Sequence, residues 1–121
     1  MEQLIIKANT DTPEINFDGE KGVFSIIGKS YPENTGDFYD PLIEYIELYK
    51  LNPKVKTSIE FNWFFYNTAT SKVIVRIIML LKDLSKEFEV KWFCYKDNDL
   101  LIEKGMELKE ILDVNFNITY L

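Results

Sequence analysis

The segment best equipped for chemistry is Tyr66-Asn67-Thr68-Ala69-Thr70-Ser71-Lys72, which follows a run of strand period and leads into a run of helical period. One reading of it is structural. Asn67 or Thr68 would accept a hydrogen bond from an unpaired N–H of the helix's first turn, a contribution of about 1 kcal/mol. That accounts for one or two side chains and leaves the hydroxyls of Thr68, Thr70 and Ser71 over-provided. The other reading is a phosphorylation site. Free N–H groups and the positive end of a helix dipole stabilise a phosphate placed there, and Lys72, one turn beyond Thr68, supplies a cation. A phosphoryl group adds about −1.5 to −2 charge at neutral pH, enough to reverse docking on the adjoining surface.

A second segment, Gly28-Lys29-Ser30-Tyr31-Pro32-Glu33-Asn34, carries two readings as well. It is either a plain strand-to-helix connection, stiffened by Pro32 and closed by Asn34 or Thr35, or a recognition loop. Ligand sites in open α/β sheets gather at the carboxyl ends of the strands. Both segments lie there if their strands run parallel.

Composition removes the common alternatives. The chain has no histidine and one cysteine, Cys94, so His-based acid–base chemistry, Ser-His-Asp and Cys-His nucleophiles and His- or Cys-rich metal sites are excluded. No P-loop or glycine-rich phosphate cradle is present. A net charge of −6 and a single arginine, Arg76, oppose nucleic acid and anionic membrane surfaces as partners. Asp97 with Asp99 reads as a helix start with solvated neighbours rather than as a metal site. We expect no catalysis, no metal and no cofactor. The start Met1–Lys7 lacks a basic region followed by a long apolar run, and the longest apolar stretch, Val73–Leu81, is broken by Arg76. The expected location is the cytoplasm.

The elements that must position these segments follow from period and punctuation. Leu4–Ala8, Glu14–Phe17 and Val23–Ile27 read as strands, the last two joined by the turn Asp18–Gly22 as a hairpin. Phe38, Leu42, Tyr45, Ile46 and Tyr49 form a helical stripe, with Asp40-Pro41 as a competing start and Asn52-Pro53 as the stop. In Thr57–Tyr66, Ile59, Phe61, Trp63 and Phe65 alternate with Ser58, Glu60, Asn62 and Phe64. The odd set should face helices. Val73, Ile74, Ile77, Leu80, Leu81, Leu84 and Phe88 form a second helical face. Val90–Lys96 reads as a strand, and Asp97-Asn98-Asp99 caps a third helix. Phe116–Tyr120 completes the order β-β-β-α-β-α-β-α-β. The expected fold is α/β, a single domain over residues 1–121 with a mixed sheet and its helices mainly on one face. That order resembles the STAS-like type of small α/β domain. Phe64, Tyr66, Phe93 and Tyr95 should share the other sheet face, packed under the opening hairpin or exposed as a docking patch.

Three blocks carry a more specific resemblance. Gly28-x-Ser30-Tyr31-Pro32-Glu33-Asn34, then Asn67-Thr68-x-x-x-Lys72, then Trp92-x-x-Tyr95 with Asp97 and Asp99, resemble in order and spacing the SiaC family of bacterial biofilm-regulating phosphoproteins. The resemblance spans nearly the whole chain. It implies an STAS-like regulatory protein that is not an enzyme. It further implies control by a dedicated protein kinase and a PP2C-like phosphatase, with a diguanylate cyclase as the partner bound by the unmodified form. The family's phosphorylated threonine follows the asparagine of its Asn-Thr pair, here Thr68. Thr70 and Ser71 remain alternatives, because Ala69-Thr70-Ser71 departs from the family's pattern between threonine and lysine. Tyr31, Pro32, Glu33, Asn34, Asn67 and Lys72 would surround the phosphate or the docked partner. The reading from another class is a constitutive protein-binding module of STAS-like fold without a phosphorylation switch.

Overall fold

Hydrophobic alternation and helical stripes mature into nine elements in a computed structural model that describes residues 1–121. These are β1 (Leu4–Ile6), β2 (Glu14–Asp18), β3 (Val23–Ser30), α1 (Thr35–Tyr49), β4 (Lys56–Tyr66), α2 (Thr68–Lys82), β5 (Glu87–Cys94), α3 (Asp99–Ile111) and β6 (Asn115–Tyr120). The expected order and class hold. The six strands lie side by side in chain order. β1, β2 and β3 pair antiparallel, and β3 through β6 pair parallel. Each crossover advances the sheet in the same direction, and right-handed connections then stack all three helices on one face. Because the order never reverses, no switch-point crevice opens at the carboxyl edge.

The core lies between that face and the helices. Ile59, Phe61, Trp63, Val90 and Trp92 are fully buried there against Leu42, Ile46, Ile77, Ile78, Leu81 and Leu101. Gly105 lets α3 approach closely. A Cβ at this position would stand 2.5 Å from Trp92 Nε1, which donates to the Leu101 carbonyl at 3.1 Å. The hairpin turn between β2 and β3 is held by Asp18, whose Oδ1 accepts from the N–H groups of Glu20 and Lys21. Gly22 closes the turn at φ 69°, a conformation costly for any residue with a side chain.

Five local expectations are corrected. Helix α2 ends at Lys82, so Leu84 lies beyond it and Phe88 is a residue of β5 rather than of the helical face. β3 runs to Ser30 rather than stopping at Ile27, so Gly28-Lys29-Ser30 is strand and not loop. The register against β4 shifts between Gly28 and Lys29, which pair with Trp63 and Phe65. Phe64 is therefore an extra residue, and one extra residue exchanges the faces of everything beyond it. Phe65 turns out to the open face and Tyr66 turns into the core, the reverse of strict alternation. Helix α1 begins at Thr35 and carries Pro41 inside it on the solvent side, so Asp40-Pro41 is not its start. Finally, the opening hairpin extends the sheet sideways and does not fold over the open face.

Candidate functional site

At the carboxyl ends of β3, β4 and β5 the chain turns into α1, α2 and α3, and an asparagine caps each helix. Asn34 Oδ1 accepts from Asp37 N–H at 3.1 Å, Asn67 Oδ1 from Thr70 N–H at 2.9 Å, and Asn98 Oδ1 from Leu101 N–H at 3.3 Å. Three helix N-termini thus open on one edge of the sheet, each adding a partial positive charge there. Asn67 N–H donates to the Ser30 carbonyl at 3.0 Å, which ties the two segments singled out in the sequence to one another.

The three hydroxyls of α2's first turn occupy different environments. Thr70 is fully buried, and its Oγ1 lies 2.8 Å from Ser30 Oγ and donates to the Ser30 carbonyl at 3.2 Å. Ser30 Oγ is in turn 2.6 Å from Tyr39 Oη. With Thr70 donating to the carbonyl, the protons run one way, from Tyr39 to Ser30 to Thr70 to the Ser30 C=O. Burial pushes the Tyr39 phenol up to about 12, against the smaller pull of the Ser30 and Thr70 hydroxyls. Ser71 is half-buried and donates to the Thr68 carbonyl at 2.6 Å. Thr68 is the first residue of the helix and is exposed. Asn67 satisfies the N–H groups of Thr70 and Ser71, through its side chain and its carbonyl respectively. The N–H groups of Thr68 and Ala69 are left facing outward at the helix end.

Lys72 is exposed one turn further along the same helix and borders a groove of about 460 Å³ between α2 and α3, with Tyr66, Ser71, Lys104 and Glu107. Lys104 Nζ stands 4.7 Å from the centre of the Tyr66 ring. Burial, and to a lesser degree the charge of Glu107, raise the Tyr66 phenol above its ordinary range.

The residues of the first loop divide. Pro32 is buried, Glu33 is exposed and Asn34 is the cap. Tyr31 is exposed, donates its hydroxyl to the Thr10 carbonyl at 3.1 Å and meets Phe65 edge-on at 5.9 Å. Beside that pair Phe64 stacks on Tyr95 at 5.4 Å, so four half-exposed aromatic rings cover the open-face corner of this edge. Of the four rings expected on this face, Phe64 and Tyr95 are exposed, Phe93 is half-buried and Tyr66 lies in the core, while Tyr31 and Phe65 were missed. The Tyr39–Ser30–Thr70 chain was missed as well. Tyr39, and not Phe38, heads the buried stripe with Leu42, Ile46 and Tyr49. Its helical spacing to those residues, with the need of a buried tyrosine for a polar partner, was the available signal.

A mixed sheet with one bare and one covered face and three parallel crossovers define a small α/β domain, with an exposed threonine at a helix mouth. The chain belongs to the SiaC family of regulatory phosphoproteins, whose family model matches residues 6–121. Among solved structures, apo-SiaC from Pseudomonas aeruginosa superposes with a TM-score of 0.86 at 24% identity, covering 98% of this chain and 99% of that one. SiaC in the crystal structure of diguanylate cyclase SiaD in complex with its activator SiaC, from the same organism, reaches 0.90 at 24% identity, again covering 98% and 99%. An uncharacterised protein of Pseudomonas aeruginosa (strain UCBPP-PA14) is 25% identical over 121 residues, 98% of this chain and 96% of its own.

Proposed function

We propose that residues 1–121 act as one non-catalytic cytoplasmic signalling domain that is switched by reversible phosphorylation of Thr68. In the unmodified form its carboxyl edge docks on and regulates a diguanylate cyclase. A protein kinase adds the phosphate and a PP2C-like phosphatase removes it. The observation that carries this reading is the division of labour in the first turn of α2. Thr70 is enclosed and Ser71 is bonded to the backbone, whereas Thr68 is exposed beside free N–H groups with Lys72 one turn away. A phosphate there gains from the helix end. The same charge opposes a partner surface that must lose its water to dock. The activator role of the SiaC in complex with SiaD supports the choice of partner.

The test is mass spectrometry of the protein after incubation with the host's kinase and MgATP, alongside Thr68→Ala. Phosphate is expected on the Thr68 peptide and absent from the variant. Phosphate undiminished on Thr68→Ala removes the assignment. Thr68→Asp is expected to weaken binding to the host's diguanylate cyclase at least tenfold.

The exposed aromatic corner of Tyr31, Phe64, Phe65 and Tyr95 favours one other reading, a constitutive protein-binding module. Partner affinity unchanged by Thr68→Asp but lost in Phe64→Ala would select it.

A further inference from the structure

The two edges of the sheet are protected very differently. β1 is three residues long with Lys7 directly after it, the short and charged form that discourages further pairing. β6, Asn115-Phe116-Asn117-Ile118-Thr119-Tyr120, is twice that length and contains no charge and no proline. Its pairing to β5 is regular, without a bulge.

The unpaired backbone groups of β6 can be assigned. Leu121 N–H donates to the Cys94 carbonyl at 2.8 Å, and Lys96 N–H donates to the Leu121 carbonyl at 3.4 Å. The period of two along a strand carries this inward orientation to Thr119, Asn117 and Asn115. The N–H and C=O groups of Phe116, Ile118 and Tyr120 therefore point away from the sheet. Ile118 and Tyr120 also line a groove of about 580 Å³ against α3, where they meet Met106, Lys109 and Glu110.

We propose that this edge pairs with the β6 edge of a second copy of the chain, antiparallel and two-fold symmetric about Ile118. Of the registers open to a symmetric pair, this one uses every outward group. Ile118 faces its own copy and Phe116 faces Tyr120, each pair exchanging two N–H···O=C bonds. The flanking helix is self-complementary in the same sense. Glu103 and Lys109 stand one turn before and one turn after Met106 on α3, and both are exposed. A two-fold axis near Met106 sets the lysine of each copy against the glutamate of the other. The contact is isologous and closed, so it stops at two copies. It lies on the opposite sheet edge from the hairpin, and it uses neither Thr68 nor the four exposed aromatic rings. The dimer thus presents two separate docking corners.

Sedimentation of the wild-type protein from about 1 μM to 1 mM tests the proposal. A concentration-dependent shift to twice the monomer mass is expected. Tyr120→Pro removes one outward N–H without touching the ladder to β5, and Lys109→Glu sets two glutamates against each other. Each should weaken the dimer at least tenfold while circular dichroism keeps its wild-type form. Glu103→Lys combined with Lys109→Glu should restore it. A wild-type protein monomeric at 1 mM, or a dimer indifferent to both single variants, overturns the proposal. So does a double variant no better than Lys109→Glu.

Discussion

The two ends of the sheet each bury a chain of hydroxyls anchored by a tyrosine of α1, and they differ in one respect. At the amino end the Lys54 N–H donates to Tyr49 Oη at 3.0 Å, Tyr49 Oη lies 2.6 Å from Thr57 Oγ1, and Thr57 Oγ1 lies 2.6 Å from Ser85 Oγ. Ser85 then donates to the Lys54 carbonyl at 2.5 Å. Donation begins and ends on one residue, and the ring is closed. At the carboxyl end the chain from Tyr39 through Ser30 to Thr70 ends on the Ser30 carbonyl, but nothing donates to Tyr39. The closed ring only fastens loops. The open chain braces the first turn of α2 from beneath, and so keeps Thr68 on its outer side. Thr68 stays exposed here because its neighbour two residues on is committed to the interior.

That contrast is most severely tested by Thr57→Val, which strands two partners at once. It should cost roughly 3 kcal/mol in urea unfolding, since each unsatisfied buried partner costs about 1–3 kcal/mol. Partner binding by the folded protein should be unchanged. Thr70→Val also removes two bonds, both to Ser30. It should cost less, about 1–2 kcal/mol, because the Ser30 carbonyl keeps its bond from the Asn67 N–H. It should nevertheless alter phosphorylation at Thr68, read as a changed rate with the host's kinase. If Thr57→Val changes that rate equally, the two ends are not functionally distinct.

The Tyr39 phenol sharpens the comparison through pH. Its folded value near 12 exceeds the ordinary value of 10. Its contribution to stability is therefore complete below pH 10 and is lost as pH rises towards 12, by about 1.4 kcal/mol for each unit between the two values. Tyr39→Phe should flatten that part of the stability profile, measured by urea unfolding at a series of pH values. The smallest effect belongs to Thr68→Ala. An exposed first-turn residue with no side-chain partner should shift stability by no more than about 0.5 kcal/mol. A larger loss would mean that Thr68 serves the fold.

Much of this was legible beforehand because it is local. The caps read from type and place as Asn67 or Thr68 and as one of Asp97-Asn98-Asp99, and the structure selects Asn67 and Asn98. The strip Ile59–Trp63 read as a strand from alternation, and the hairpin read from Asp18–Gly22. Tyr31, Asn34, Asn67 and Thr68 fell at one edge once β3 and β4 were taken as parallel. Ser30 fell at that edge as well, but its bonds were not legible, because its partners Tyr39 and Thr70 lie nine and forty residues away. Phe65 and Tyr66 were misassigned because a bulge depends on the neighbouring strand.

Taken alone, the amino-acid sequence determined the order of elements, the absence of histidine chemistry and the clustering of hydroxyls before the second helix, since periodicity, residue type and capping act over a few neighbours. Tertiary structure alone decided which of Thr68, Thr70 and Ser71 faces outward, and which aromatic rings stay wet. Both depend on how β4 slips past β3 at Gly28 and on what α1 lays over the strand ends. Such contacts join residues far apart in the chain, and no local pattern encodes them.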